Sequence, residues 1–156
     1  MLFAIALVAA CSSTPLSPEP GEPLPVTRLR AEPFSFAYSS GLVTPQQVVI
    51  RTPAQWKQVW TDIWQNHSTH PALPEIDFAQ EMVVVAALGE RPTGGYSIFI
   101  DAASTEADGI AVRIRSVSPT NGCGVTLALT QPVDIARIPR KEGRVRFEQR
   151  QEQSCG

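Results

Sequence analysis

Apolar residues follow two periods along this chain, and the change between them predicts one helix set among strands. Phe34, Phe36 and Tyr38 alternate with Ser35 and Ala37, the period of two that turns one face of a strand toward a core. Gly41 interrupts that run, and Val48 to Arg51 predicts a second short strand. The period then lengthens. Trp56, Val59, Trp60, Ile63 and Trp64 fall at i, i+3, i+4, i+7 and i+8, which places them on one helical stripe. Gln58, Thr61, Asp62 and Gln65 take the other side. Thr52 is placed to cap this helix, with Pro53 in its first turn and Gln55 completing a capping box. All three tryptophans lie in the stripe. The mixture with Val59 and Ile63 predicts that they dock the helix on a sheet; a sugar-binding platform is the alternative.

Residues 66–77 are polar and interrupted by Pro71 and Pro74, which predicts a loop. Met82 to Leu88 is unbroken apolar sequence of strand length, the mark of a strand buried on both faces. Alternation returns at Tyr96, Ile98 and Ile100, at Ile110, Val112 and Ile114, and at Val125, Leu127 and Leu129. Val133 with Ile135, and Val145 with Phe147 after Gly143, continue it. These runs predict an α+β fold: a mostly antiparallel β-sheet or small sandwich, with one amphipathic helix packed on it. No internal repeat is visible.

Length and charge narrow the function. The chain has 156 residues, of which 43% are hydrophobic and 18% charged, which suits one domain plus a tail. The formal net charge of -2 leaves no cationic footprint for nucleic acid. Arg137, Arg140, Lys141, Arg144, Arg146 and Arg150 make the C-terminal stretch locally basic, but acids interrupt it. It reads as the polar face of a last strand. His67, His70, Glu75 and Asp77 cluster in sequence without a recognised metal spacing. No Ser-His-Asp motif and no phosphate-cradling loop is present, so no enzyme activity and no cofactor are expected.

The beginning of the chain carries a different signal. Leu2 to Ala10 is apolar but far shorter than the roughly 20 residues of a membrane span. Leu7-Val8-Ala9-Ala10-Cys11 resembles the lipobox of bacterial lipoproteins, although no Lys or Arg precedes it. The resemblance implies a diacylglycerol on the Cys11 thiol and cleavage before that residue, which becomes the acylated N-terminus, palmitate included, and would hold the protein on a membrane. Ser12, where an Asp would favour inner-membrane retention, implies the outer membrane, facing the periplasm. Residues 12–25 contain five prolines, which favour extended geometry and predict a spacer on the order of 40 Å. The expected organisation is a signal peptide over residues 1–10, a lipidated cysteine and linker over 11–30, and a folded domain over 31–156.

Two cysteines remain, Cys123 and Cys155. An exported chain meets an oxidising compartment, so the two are expected to bridge. Two free thiols or a link between molecules are the alternatives.

The most distinctive segment is Gly89-Glu90-Arg91-Pro92-Thr93-Gly94-Gly95-Tyr96. It resembles the signature of the PrcB family of bacterial envelope proteins, named for a protease-complex subunit. The helix with Trp56 and Trp60, the Leu73 to Phe78 segment, Val83-Val84-Val85, the Pro119 to Cys123 loop and Pro132 to Pro139 extend the likeness over most of residues 48–147. The resemblance implies a protein partner, through association with or maturation of a secreted protease. Arg91, Pro92, Thr93, Gly94, Gly95 and Tyr96 are the expected contact loop. Arg91 offers a guanidinium fork, Thr93 a hydroxyl, and Gly94 and Gly95 allow close approach of open main-chain amides. A plain turn between two core strands, in a purely structural envelope protein, is the alternative. The segment is also similar to the Asn-Pro-Thr-Thr-Gly-Tyr loop of chagasin-type protease inhibitors. It departs from that loop at Arg91 and Gly94, and the chain has no Trp after Trp64.

Overall fold

The structure, a computed structural model, describes residues 21–29 and 39–155. The expected strand at Phe34 to Tyr38, the signal peptide and Cys11 lie outside these residues. The described elements are β1 (Pro23–Leu24), β2 (Thr27–Arg28), β3 (Gln46–Ile50), α1 (Pro53–Trp64), β4 (Glu81–Ala87), β5 (Ser97–Glu106), β6 (Gly109–Ser118), β7 (Val133–Pro139) and β8 (Arg144–Gln153). Two four-stranded sheets form, in the orders β1-β5-β6-β8 and β2-β7-β4-β3. Every pairing is antiparallel except β6 with β8. That exception follows from the path of the chain. It leaves β6, crosses to the other sheet as β7, and turns back at Gly143 (φ +92°) into β8, which therefore runs in the direction of β6.

Helix α1 begins as its sequence predicts. The Thr52 hydroxyl accepts from the Gln55 amide at 3.3 Å, and the Gln55 side chain reaches back to the Arg51 amide at 3.2 Å. The stripe docks, with Trp56 and Ile63 each only 1% exposed. The indoles of Trp56 and Trp60 bury their area without stranding their N–H groups. Trp56 Nε1 donates to the Pro74 carbonyl at 2.9 Å and Trp60 Nε1 to the Pro71 carbonyl at 3.1 Å. The proline-bearing loop thus serves as the polar lid of the tryptophan stripe. His67 and His70 lie in it against backbone carbonyls, and no group of three or more His, Cys, Asp or Glu converges among the described residues.

Strand β4 is buried on both faces, as its unbroken apolar run predicts. Val83, Val85 and Ala87 pack with α1 and form one core; Met82, Val84 and Ala86 face the opposite sheet and join Ile98, Ile100, Val112 and Ile114 in a second. The layers are therefore helix, sheet, sheet. Asp134 on β7 pins the two sheets together. Its carboxylate accepts the Ile100 amide of β5 at 2.7 Å and Arg28 Nε of β2 at 3.0 Å, beside the irregularity in β5 between Ile100 and Ala102.

Two expectations about local structure are corrected. Residues 21–29, expected in the free spacer, are paired instead: β1 lies on β5, β2 lies on β7, and Leu24 and Val26 pack against the second core. Pro23 is tolerated because β1 is an edge strand, where a missing donor costs no ladder bond. The alternating run Val125, Leu127, Leu129 is not a strand. Its backbone bonds go to another loop, Thr126 to Gly94 and Thr130 to Arg91, and no strand of either sheet takes it up. Leu127 is left 89% exposed and Leu129 62%.

Candidate functional site

Two loops meet at one end of the sandwich. One, residues 88–96, joins β4 to β5. The other, residues 119–132, joins β6 to β7. The two loops are bonded together along their length. The Arg91 amide donates to the Thr130 carbonyl at 2.7 Å, and the Thr130 amide returns a bond to the Arg91 carbonyl at 3.0 Å. The Gly94 amide donates to the Thr126 carbonyl at 2.8 Å, and the Thr130 hydroxyl to the Thr93 carbonyl at 2.8 Å. Glycine makes this approach possible at Gly95, whose φ is +84°. A β-carbon there would stand 3.0 Å from Val125 Cγ1 and 3.2 Å from Pro119 Cβ.

This interlock takes two main-chain amides out of the contact loop expected at residues 91–96. The amides of Arg91 and Gly94 are not open to a partner, because the neighbouring loop already occupies them. Gly94 is buried and does not use a positive φ. The Arg91 guanidinium does not stand out as a fork. Its NH2 group donates to the Leu88 carbonyl at 2.7 Å, and its carbon lies 5.8 Å from the centre of the Tyr96 ring. Arg91 and Tyr96 together wall a small cleft of about 160 Å³, which Ser116, Ser118 and Gln151 also line. Of the loop's own residues from Arg91 to Tyr96, Pro92 is the exposed tip.

The site also presents an apolar pair. Leu127 and Leu129 lie exposed on the second loop, between Thr126 and Thr130, the residues bonded to Gly94 and Arg91. The start of that loop is held covalently: Cys123 and Cys155 form a disulfide, with Cα atoms 5.3 Å apart. The Thr120 hydroxyl lies 3.0 Å from Cys123 Sγ. The loop is therefore anchored at Cys123, at Thr126 and at Thr130, and its two leucines are raised on a braced ridge. Such an exposed pair on a fixed loop is costly to leave in water and suits a contact with another apolar surface.

The predicted loop residues and the two cysteines thus sit at the same end of the molecule. Leu127 and Leu129 are the residues that sequence reasoning assigned elsewhere, to a strand face. Gly122, Gly124 and Pro132 around them were the available loop signals.

Residues 82–139 match the PrcB C-terminal family. The matched stretch runs from β4 through β7, so both interlocked loops fall inside it, while α1, β3 and β8 lie outside. No curated protein and no solved structure matches the chain.

Proposed function

Since this chain carries a PrcB C-terminal domain over residues 82–139, we propose that it is a non-catalytic accessory protein that binds a secreted protease or its precursor. The contact surface in this reading is the ridge of Leu127 and Leu129, with Pro92 at its rim. The observation that carries the reading is the exposure of those two leucines on a loop fixed at both ends. A rigid loop loses little entropy on binding, so its apolar area is available for affinity. The 91–96 loop then works as a buttress: Arg91, Thr93 and Gly94 hold the ridge, and Gly95 lets it come close.

The lipobox-like run ending at Cys11 supplies the second half of the proposal. Acylation there would confine the domain to the envelope, in the outer membrane facing the periplasm, where an exported protease passes. Confinement raises the effective concentration of the domain near that partner.

Photocrosslinking in intact cells tests this reading, with the crosslinking residue placed at Leu127 and, separately, at Lys57 on the exposed face of α1. A protease or its precursor should be captured from Leu127 and not from Lys57. Leu127→Asp with Leu129→Asp should reduce its recovery in a pull-down by about tenfold or more, the loss of two apolar anchors. Equal capture from both positions, or recovery untouched by the double variant, would reject the ridge as the contact.

A further inference from the structure

Strand β8 is the last strand of its sheet, and among the described residues nothing pairs with its outer edge. Alternate backbone groups along its ten residues face outward unmatched, an invitation to another strand. The hydrogen bonds to β6 fix which groups face outward. Ser154 donates its amide to Ser118, and the carbonyls of Arg150 and Glu152 face the Ser116 and Ser118 hydroxyls. The even-numbered groups therefore point to β6, and the odd-numbered residues from Val145 to Gln153 point to the open edge. The side chains alternate across the faces. Val145 and Phe147 turn inward to the core, and Arg146, Glu148, Arg150 and Glu152 line the outer face.

We infer that two copies of this chain pair antiparallel through their β8 edges, with Gln149 opposite Gln149 of the second copy. In that register Arg146 faces Glu152 of the second copy, and Glu148 faces Arg150. Each of these four charges meets its opposite, and the two-fold axis repeats each pair. These facing residues occupy the positions between the hydrogen-bonded pairs, where side chains approach most closely. Moving the centre of the register by one residue in either direction removes the match. Centred on Glu148, the strands set Glu148 against Glu148 and Arg146 against Arg150. Centred on Arg150, they set Arg150 against Arg150 and Glu148 against Glu152. The charges that commonly protect an edge strand here favour the Gln149-centred register over both of its neighbours. Arg150 is 80% exposed and Glu148 41%, so both side chains are accessible to a second copy. The pairing uses β8 alone and none of the residues of the Leu127 and Leu129 ridge, so it does not rest on the protease reading.

Sedimentation velocity of the purified protein over a concentration series tests the inference. The wild-type protein should dimerise, and Glu148→Arg or Arg150→Glu alone should weaken the dimer by about tenfold or more, since each puts like charges opposite one another. The double variant E148R/R150E should recover it. An equimolar mixture of the two single variants should also recover it, as a heterodimer. One chain then carries a cation at both exchanged positions and the other a carboxylate at both, so every facing pair is again of opposite sign. Circular dichroism melts establish that each variant is folded. A wild-type protein that stays monomeric throughout the series overturns the inference. So does a dimer that ignores both reversals, or a mixture that associates no better than its components.

Discussion

The Thr130 hydroxyl donates to the Thr93 carbonyl at 2.8 Å, which joins two loops across 37 residues of chain. Thr130 is only 7% exposed, so this bond is made out of water and its loss strands a carbonyl inside the interlock. Thr130→Val keeps the shape and removes the donor. We expect a loss of about 1–2 kcal/mol in urea unfolding, together with faster proteolytic cutting between residues 124 and 129. Unchanged cutting would show that the backbone bonds of Arg91 and Gly94 suffice to hold the ridge.

Cys123 and Cys155 are 32 residues apart in sequence, and their bond ties the end of β8 to the base of the ridge. Cys123→Ser with Cys155→Ser should lower stability by about 2–4 kcal/mol, chiefly by freeing the unfolded chain. Amide exchange should rise in residues 119–131 and at the C-terminal end of β8, while α1 and β4 stay protected. Mass spectrometry of exchanged fragments reads this directly. A uniform rise across the domain would instead assign the disulfide to global stability alone.

Asp134 accepts from Ile100 of the opposite sheet and from Arg28 of its own. Asp134→Ala leaves the Ile100 amide unmatched between the sheets and removes a partner of Arg28. The expected cost is about 2–3 kcal/mol, in the range for a charged acceptor of a part-buried amide. Asp134→Asn keeps an acceptor for Ile100 and should lose less. The order of the two variants in denaturant midpoints checks the assignment.

On the outer sheet face, Arg146 hydrogen-bonds Glu106, and this contact holds the Glu106 carboxyl below its ordinary pKa. A carboxylate whose folded pKa is depressed favours the fold above its unfolded pKa. That contribution is lost as the pH falls through the lowered folded value. Arg146→Gln should let the Glu106 pKa rise toward its ordinary value and remove this acid-side dependence. Carboxyl-carbon NMR titration of both proteins shows the shift or its absence.

Periodicity carried far in this chain where burial alone was at stake. The stripe from Trp56 to Trp64 faces the sheet, and Thr52 caps it, because a helix side is decided by residues a few positions apart. The unbroken run at β4 announced two apolar faces, and both are covered. The pairing of Cys123 with Cys155 was legible in there being no other cysteine beyond Cys11. Each of these is a local or compositional property.

Edges are not. Whether Val125, Leu127 and Leu129 become a strand depends on a strand to pair with, and their loop bonds to another loop instead. Pro23 and Leu24 have a spacer's composition, yet the side of β5 opposite β6 accepts them. The amides of Arg91 and Gly94 looked available because a loop sequence cannot announce that a second loop, beyond two further strands, will bond to them. The amino-acid order determined where the helix starts and which faces of the helix and of β4 leave water. Only the tertiary structure decided which backbone groups find partners, because hydrogen-bond satisfaction is settled between segments distant in the chain.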